Sequence, residues 1–272
     1  MNFNNITIYA TCQGEGIKYY LKYYFPQSNI NVIHNYTHIY TNNDINYNIL
    51  KNTDLFIYQH LDKKWGKFST DLSVKNNVLS YLPNTIPKIT IPYIYCDWIW
   101  ALGKTRLKNL TPDFNDLSKK TSEKIIYINQ NIITNLKKNY DLETILKLYD
   151  DNKIDFNYKK RMEDQIKILK KKEENCDIKI SEYILSNYKE KKLFLCQNHP
   201  TTYIFKNITK QILNKLNIQF NNFDENFINN NNFYLGNEYV FSKYDIDYHN
   251  LKFQVNINDN FIKNLIKEIY YL

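Results

Sequence analysis

Three short polar clusters hold side chains suited to catalysis: Cys12-Gln13, Gln59-His60 and Asn198-His199. Thiol, imidazole and amide are the groups needed for a nucleophile, a general base and an oxyanion donor. Each cluster follows a short apolar run, after Ala10, Tyr58 and Cys196, and in two cases a helical pattern follows at once. In a parallel sheet such turns gather at the carboxyl ends of the strands, where α/β proteins bind ligands.

His199 precedes Pro200, and the residue before a proline is pushed out of helical geometry, whereas proline favours the first helical position. The pattern therefore predicts His199 as N-cap of a helix over 203–216, its ring kept neutral by the helix dipole and fit to act as a base. A cap or surface role alone is the competing reading. Cys12 is expected at a turn before a helix N-terminus, a setting that lowers a thiol pKa, although a free Cys is more often a small buried hydrophobe. Gly14 and Gly16 would let backbone N–H groups approach an anion there. Tyr19 stands where a dinucleotide fingerprint needs its third glycine, and no Walker A sequence occurs, so nicotinamide, flavin and P-loop readings fail.

The other candidates carry weaker expectations. His34, His38 and His249 read as structural or exposed, and Asp150-Asp151 and Glu173-Glu174 as solvated charges. Tyr93, Tyr95, Trp98 and Trp100 read as core, or as the lining of an apolar channel with Lys104 and Arg106 beyond it for phosphates.

The elements that must position these groups follow from periodicity. Strands are predicted at Asn5–Ala10, Ile30–Ile33, Leu55–Tyr58, Lys88–Tyr95 (interrupted by Pro92) and Leu193–Cys196. Helices are predicted from Ile17 to about Pro26, over 73–82, through most of 104–190 and from Asn260. A strand or two is expected before that last helix. Strands alternating with helices give an α/β class: a small parallel sheet with crossover helices plus a large helical insertion. The chain reads as a single domain over 1–272 with the insertion at about 104–190 and an Asn-rich loop at 221–232.

The chain has 272 residues, 43% apolar and 16% aromatic, with 5 Gly and 6 Pro, which fits one globular core rather than a linker or fibre. No run is long enough for a membrane span and the start lacks a secretory layout, so a soluble cytoplasmic protein is expected. The net charge is +8, yet the only arginines are Arg106 and Arg161. Lysine enrichment on solvated faces explains the excess, and no nucleic-acid partner is expected. Cys12, Cys96, Cys176 and Cys196 show no metal spacing and are expected to be free thiols, with no metal bound.

The segments ATCQGEG, TDLFIYQH, PKITIPYIYCDWIW, LKKKEENCDIKISEYI and LFLCQNHPTTYIFKNITKQIL, in that order, resemble the polysaccharide-biosynthesis family typified by WcbI, over roughly residues 5–216. The family opens close to Gly-Asn-Cys-Gln; here Ala10 and Thr11 replace the first two residues, while Cys12, Gln13 and Asn198-His199-Pro200 remain. Its middle Glu falls at Glu173 or Glu174. The resemblance implies an O-acetyltransferase with acetyl-CoA as donor and a hydroxyl of a glycan or nucleotide-sugar-derived acceptor as target. Cys12, Gln13, His60 and His199 are then the candidate catalytic residues. Thr11, Gln13, Gly14, Gln59, His60, Tyr95, Lys104, Arg106 and Asn198 are the candidates for CoA binding. An esterase-like hydrolase acting on acylated glycans, or a non-catalytic homologue that binds CoA or glycan, are the alternatives.

Overall fold

The computed structural model describes residues 3–103, 130–221, 223, 238–255 and 257–271. Lys104, Arg106 and most of the Asn-rich stretch 221–232 lie outside the described residues. The described chain forms two compact units. The first comprises Met1–Tyr95, Lys167–Asn187 and Asn198–Gly236; the second comprises Cys96–Ile166, Tyr188–Gln197 and Asn237–Leu272.

The first unit is built on a four-stranded parallel sheet in the order β2-β1-β3-β4, with β1 at Asn5–Ala10, β2 at Asn29–His34, β3 at Leu55–Gln59 and β4 at Lys88–Ile91. β4 stops where Pro92 removes a backbone donor. Side chains alternate between the faces. Tyr9 and Phe56 pack on one side with Ile33, Leu50, Phe68, Val78 and Leu82. On the other side lies helix α1 (Gln13–Tyr24), packed against α8 (Thr202–Lys215). Gly16 permits that crossing: a Cβ there would run into the Phe205 ring. Short helices α2 (Asn35–Thr41), α3 (Tyr47–Lys51) and α7 (Ser181–Asn187) complete the unit. The register pairs Ala10 with His34 and Gln59 with Ile91, so the strands end along one edge. Chain order reverses direction at β1, which makes the carboxyl ends of β1 and β3 the switch point where a crevice opens.

In the second unit, α4 (Asn131–Leu136), α5 (Leu142–Asp150), α9 (Lys243–His249) and α10 (Asp259–Tyr271) enclose a core of Ile133, Ile145, Tyr149, Phe156, Leu265 and Ile266. Strand β5 (Phe194–Cys196) belongs here too. The long helix α6 (Tyr158–Glu173) supplies Arg161, which is 8% exposed. Its guanidinium donates to the carbonyls of Trp100 (3.0 Å), Ala101 (3.2 Å), Phe156 (3.3 Å), Gly103 (2.8 Å) and Asp97. Of the two arginines in the chain, this one braces a buried turn.

Some elements depart from expectation. The helix predicted over 73–82 is only a 3₁₀ turn at Val78–Tyr81, because Asp71 and Asn77 accept from the N–H groups of Ser73 and Ser80 and compete with a longer ladder. Before the last helix, the described residues form a bridge, Phe241 to Ile257, and helix α9 in place of an extended strand. Ser242 and Asp245 cap that helix reciprocally, a capping box legible in the sequence as Ser-x-x-Asp.

Candidate active site

α1 begins at Gln13, earlier than the predicted Ile17, and Cys12 is its N-cap residue. Cys12 therefore sits at a helix N-terminus, half-buried. The expected lowering of its pKa does not follow. Burial pushes the thiol up, and the Thr11 hydroxyl and the backbone N–H groups of Cys12 and Gln13 only partly oppose it. Desolvation of the thiolate outweighs the helix end.

Gln13 is 2% exposed and its amide is fully committed. Nε2 donates to the carbonyls of Ile94 (2.6 Å) and Asn198 (3.0 Å), while Oε1 accepts from Ile94 N–H (3.2 Å) and from Gln59 Nε2 (3.0 Å). Gln59 in turn accepts from Thr11 N–H at 2.8 Å. One buried amide thus fastens together the turn carrying Cys12, the end of β3, the segment after β4 and the main chain next to His199. Both hydrogens of the Gln13 amide are thus spent within the framework. The nearby N–H groups are engaged as well: Gln13 to Thr11 Oγ1, Gly14 to Thr11 O and Glu15 to Cys12 O. Gly14 also permits close packing, since a Cβ there would lie 2.8 Å from Val32 Cγ1. Thr11 and Gln59 offer the same internal ties.

His199 lies in a two-residue strand, His199–Pro200, and not at the N-cap, which is Thr201. The proline ends an extended segment here instead of opening the helix. Half-burial pushes the His199 imidazole down to about 4, so desolvation, not the helix dipole, keeps it neutral at pH 7. His60 stands exposed past β3, its Nδ1 3.2 Å from Thr70 Oγ1, on the rim near Asp71 rather than in the Gln13 network. Tyr95 is half-buried in the segment that follows Ile94.

One further correction concerns a residue read as solvated. Glu173 is buried: it accepts from Ile180 N (2.5 Å), Ser181 N (2.8 Å) and Ser181 Oγ (2.5 Å), anchoring the start of α7, while Glu174 remains exposed. His34, at the end of β2, pairs its Nε2 with Glu15 Oε1 at 3.0 Å and stacks on Tyr36 with ring centroids 5.7 Å apart. Burial raises the Tyr36 phenol, and the nearby Cys12 and Glu15 side chains act in the same direction. Glu15, His34 and Tyr36 thus gather beside Cys12. The sequence signal for them was the fourth strand end, Ile33-His34-Asn35, which is as polar as the other three.

His249 behaves as expected of a structural histidine: it is buried, with Nε2 3.2 Å from the Trp98 carbonyl. Among the described residues no group of His, Cys, Asp and Glu forms a metal cluster, none of the four cysteines forms a disulfide, and no helix is long and apolar enough to cross a membrane.

A solved structure resembles this fold with a TM-score of 0.69 at 15% identity, covering 99% of this chain and 90% of that one. It is described as WcbI, a polysaccharide biosynthesis enzyme, in the native form without a disulfide bond between CoA and one of its cysteines. No curated protein matches the sequence. The family model for the polysaccharide biosynthesis enzyme WcbI matches residues 5–221, which include β1 to β4, the Cys12 turn and the whole of α8. This chain belongs to the WcbI family of polysaccharide biosynthesis enzymes.

Proposed function

We propose that this chain transfers an acetyl group from acetyl-CoA to a sugar hydroxyl during polysaccharide biosynthesis. The observation that carries the reading is the Gln13 amide, which bonds the turn next to Cys12 to the main chain next to His199. Residues far apart in sequence are thereby tied together at the carboxyl edge of the sheet, within one unit. CoA as ligand is supported by the family and by the similar WcbI, whose description names CoA and a cysteine.

The donor supplies an already activated thioester. His199, neutral through burial, accepts the proton of the acceptor hydroxyl as its oxygen attacks the thioester carbon. It then returns that proton to the departing CoA sulfur, so the products are the acetyl ester and free thiol. Burial holds Cys12 in its thiol form, which favours direct attack over a cysteine-bound acetyl group. The residues named for CoA that this unit describes act mostly as framework, because Thr11, Gln13, Gly14 and Gln59 spend polar groups on one another.

The test is a thermal-shift series with CoA, acetyl-CoA and dephospho-CoA, followed by an acetyl-transfer assay. Ligand binding to the folded state should raise Tm. His199→Ala should lose about a hundredfold or more in kcat, whereas Cys12→Ser should lose much less. An acetyl group detected on Cys12 by mass spectrometry, with a burst of CoA in the absence of acceptor, would replace the direct route by a covalent one. Acetate release from acetylated glycan without CoA would instead make the protein a hydrolase.

A further inference from the structure

The Glu15, His34 and Tyr36 group lies outside the machinery just described, yet it borders Cys12. Three independent features define it. The parallel register sets His34 opposite Ala10, two residues before Cys12. Cys12 and Glu15, at the N-cap and third position of α1, share one side of its first turn, and Glu15 reaches His34 at 3.0 Å. Tyr36 stacks on His34 with an interplanar angle of 17° and remains 37% exposed.

Pyranose rings present a face of C–H bonds that packs on an aromatic ring, and hydroxyls that bond to carboxylate oxygens and imidazole nitrogens. A half-exposed tyrosine, braced by a stacked histidine and flanked by a carboxylate, offers both at once. Rigid two-angle aromatic side chains also give contact area at low entropic cost.

We propose that Tyr36, braced by His34 and flanked by Glu15, is the platform on which the acceptor pyranose stacks, holding its hydroxyl toward the Cys12 side of the crevice. The proposal rests on the acyl-transfer reading for the fate of that hydroxyl, but the platform itself is a sugar-binding site with or without CoA.

Saturation-transfer NMR with methyl β-D-glucopyranoside and methyl α-D-mannopyranoside, on the full chain without CoA, tests it directly. Transfer to the ring protons of at least one glycoside is expected. It should disappear in Tyr36→Ala and persist in Tyr36→Phe, which keeps the ring. In the transfer assay Tyr36→Ala should raise the acceptor KM at least tenfold and leave the Tm shift with CoA unchanged. Absence of transfer to both glycosides, or undiminished transfer in Tyr36→Ala, overturns the platform. Loss of CoA binding in the unaltered protein overturns the acyl-transfer reading and leaves the NMR result to stand by itself.

Discussion

At the scale of single residues, side-chain type and side-chain availability part company. Gln13 has the type of an oxyanion donor, but every hydrogen-bonding capacity of its amide is consumed by Ile94, Asn198 and Gln59. Replacing it with Met, similar in volume, strands those buried partners. The expected loss is about 3–5 kcal/mol of stability, from partners left unsatisfied at about 1–3 kcal/mol each, read as a lowered midpoint in urea. Gln13→Glu should fare little better, since a carboxylate sets oxygen against the Ile94 and Asn198 carbonyls. His199 gives a pH signature of its own. Its neutral form is the working base, and burial sets its titration near 4, so kcat/KM should hold from pH 7 down to about 5 and fall only near 4. A limb centred at pH 6–7 that vanishes in His199→Ala would contradict this.

At the scale of elements, the site depends on how closely α1 approaches its neighbours. Gly14 lies on β2 and Gly16 on α8, each where a Cβ would collide. Gly16→Ala forces the Phe205 ring aside and should cost about 1–3 kcal/mol, the usual toll of overpacking. Pairing it with Phe205→Leu should recover part of the loss, a coupling readable from a double-mutant cycle. Failure of the pair to couple would separate Gly16 from Phe205. The two glycines were legible in the sequence as a break in a polar turn, but their use was not. A glycine that admits an anion and a glycine that admits a neighbouring side chain look identical until that neighbour's position is known.

At the scale of the whole molecule, three buried groups set how stability responds to pH. His199 and His249 both titrate near 4 in the folded state against an ordinary value of 6.5. The unfolded chain binds more protons between those values, so each makes stability fall as pH drops from 6.5 to 4. Asp245 acts oppositely: burial raises it to about 6 from 3.8, so it makes stability fall as pH rises between 3.8 and 6. Two histidines against one carboxylate leave a net decline toward acid. Tm should therefore drop between pH 6.5 and 4, and His249→Gln should flatten that slope. A Tm that rises over this interval would refute the balance. The charge of +8 also takes its meaning at this scale. The arginine Arg161 is spent on buried carbonyls, which removes it from any phosphate-reading surface.

The order of strands and helices, and with it the α/β class and the polar strand ends, was determined by the sequence alone. Periodicity and proline placement are local properties: β1 matches its predicted limits, and β4 stops at Pro92. Local signals also misled where short polar side chains compete with a helix, as at Asn77, or where a capping box passed unread, as at Ser242. The tertiary structure alone decided which polar residues are spent and which are offered. Desolvation and hydrogen-bond saturation are set by neighbours that arrive from distant parts of the chain. Thus Glu173 became an anchor, Gln13 a fastening, and His34 with Tyr36 an open surface beside Cys12.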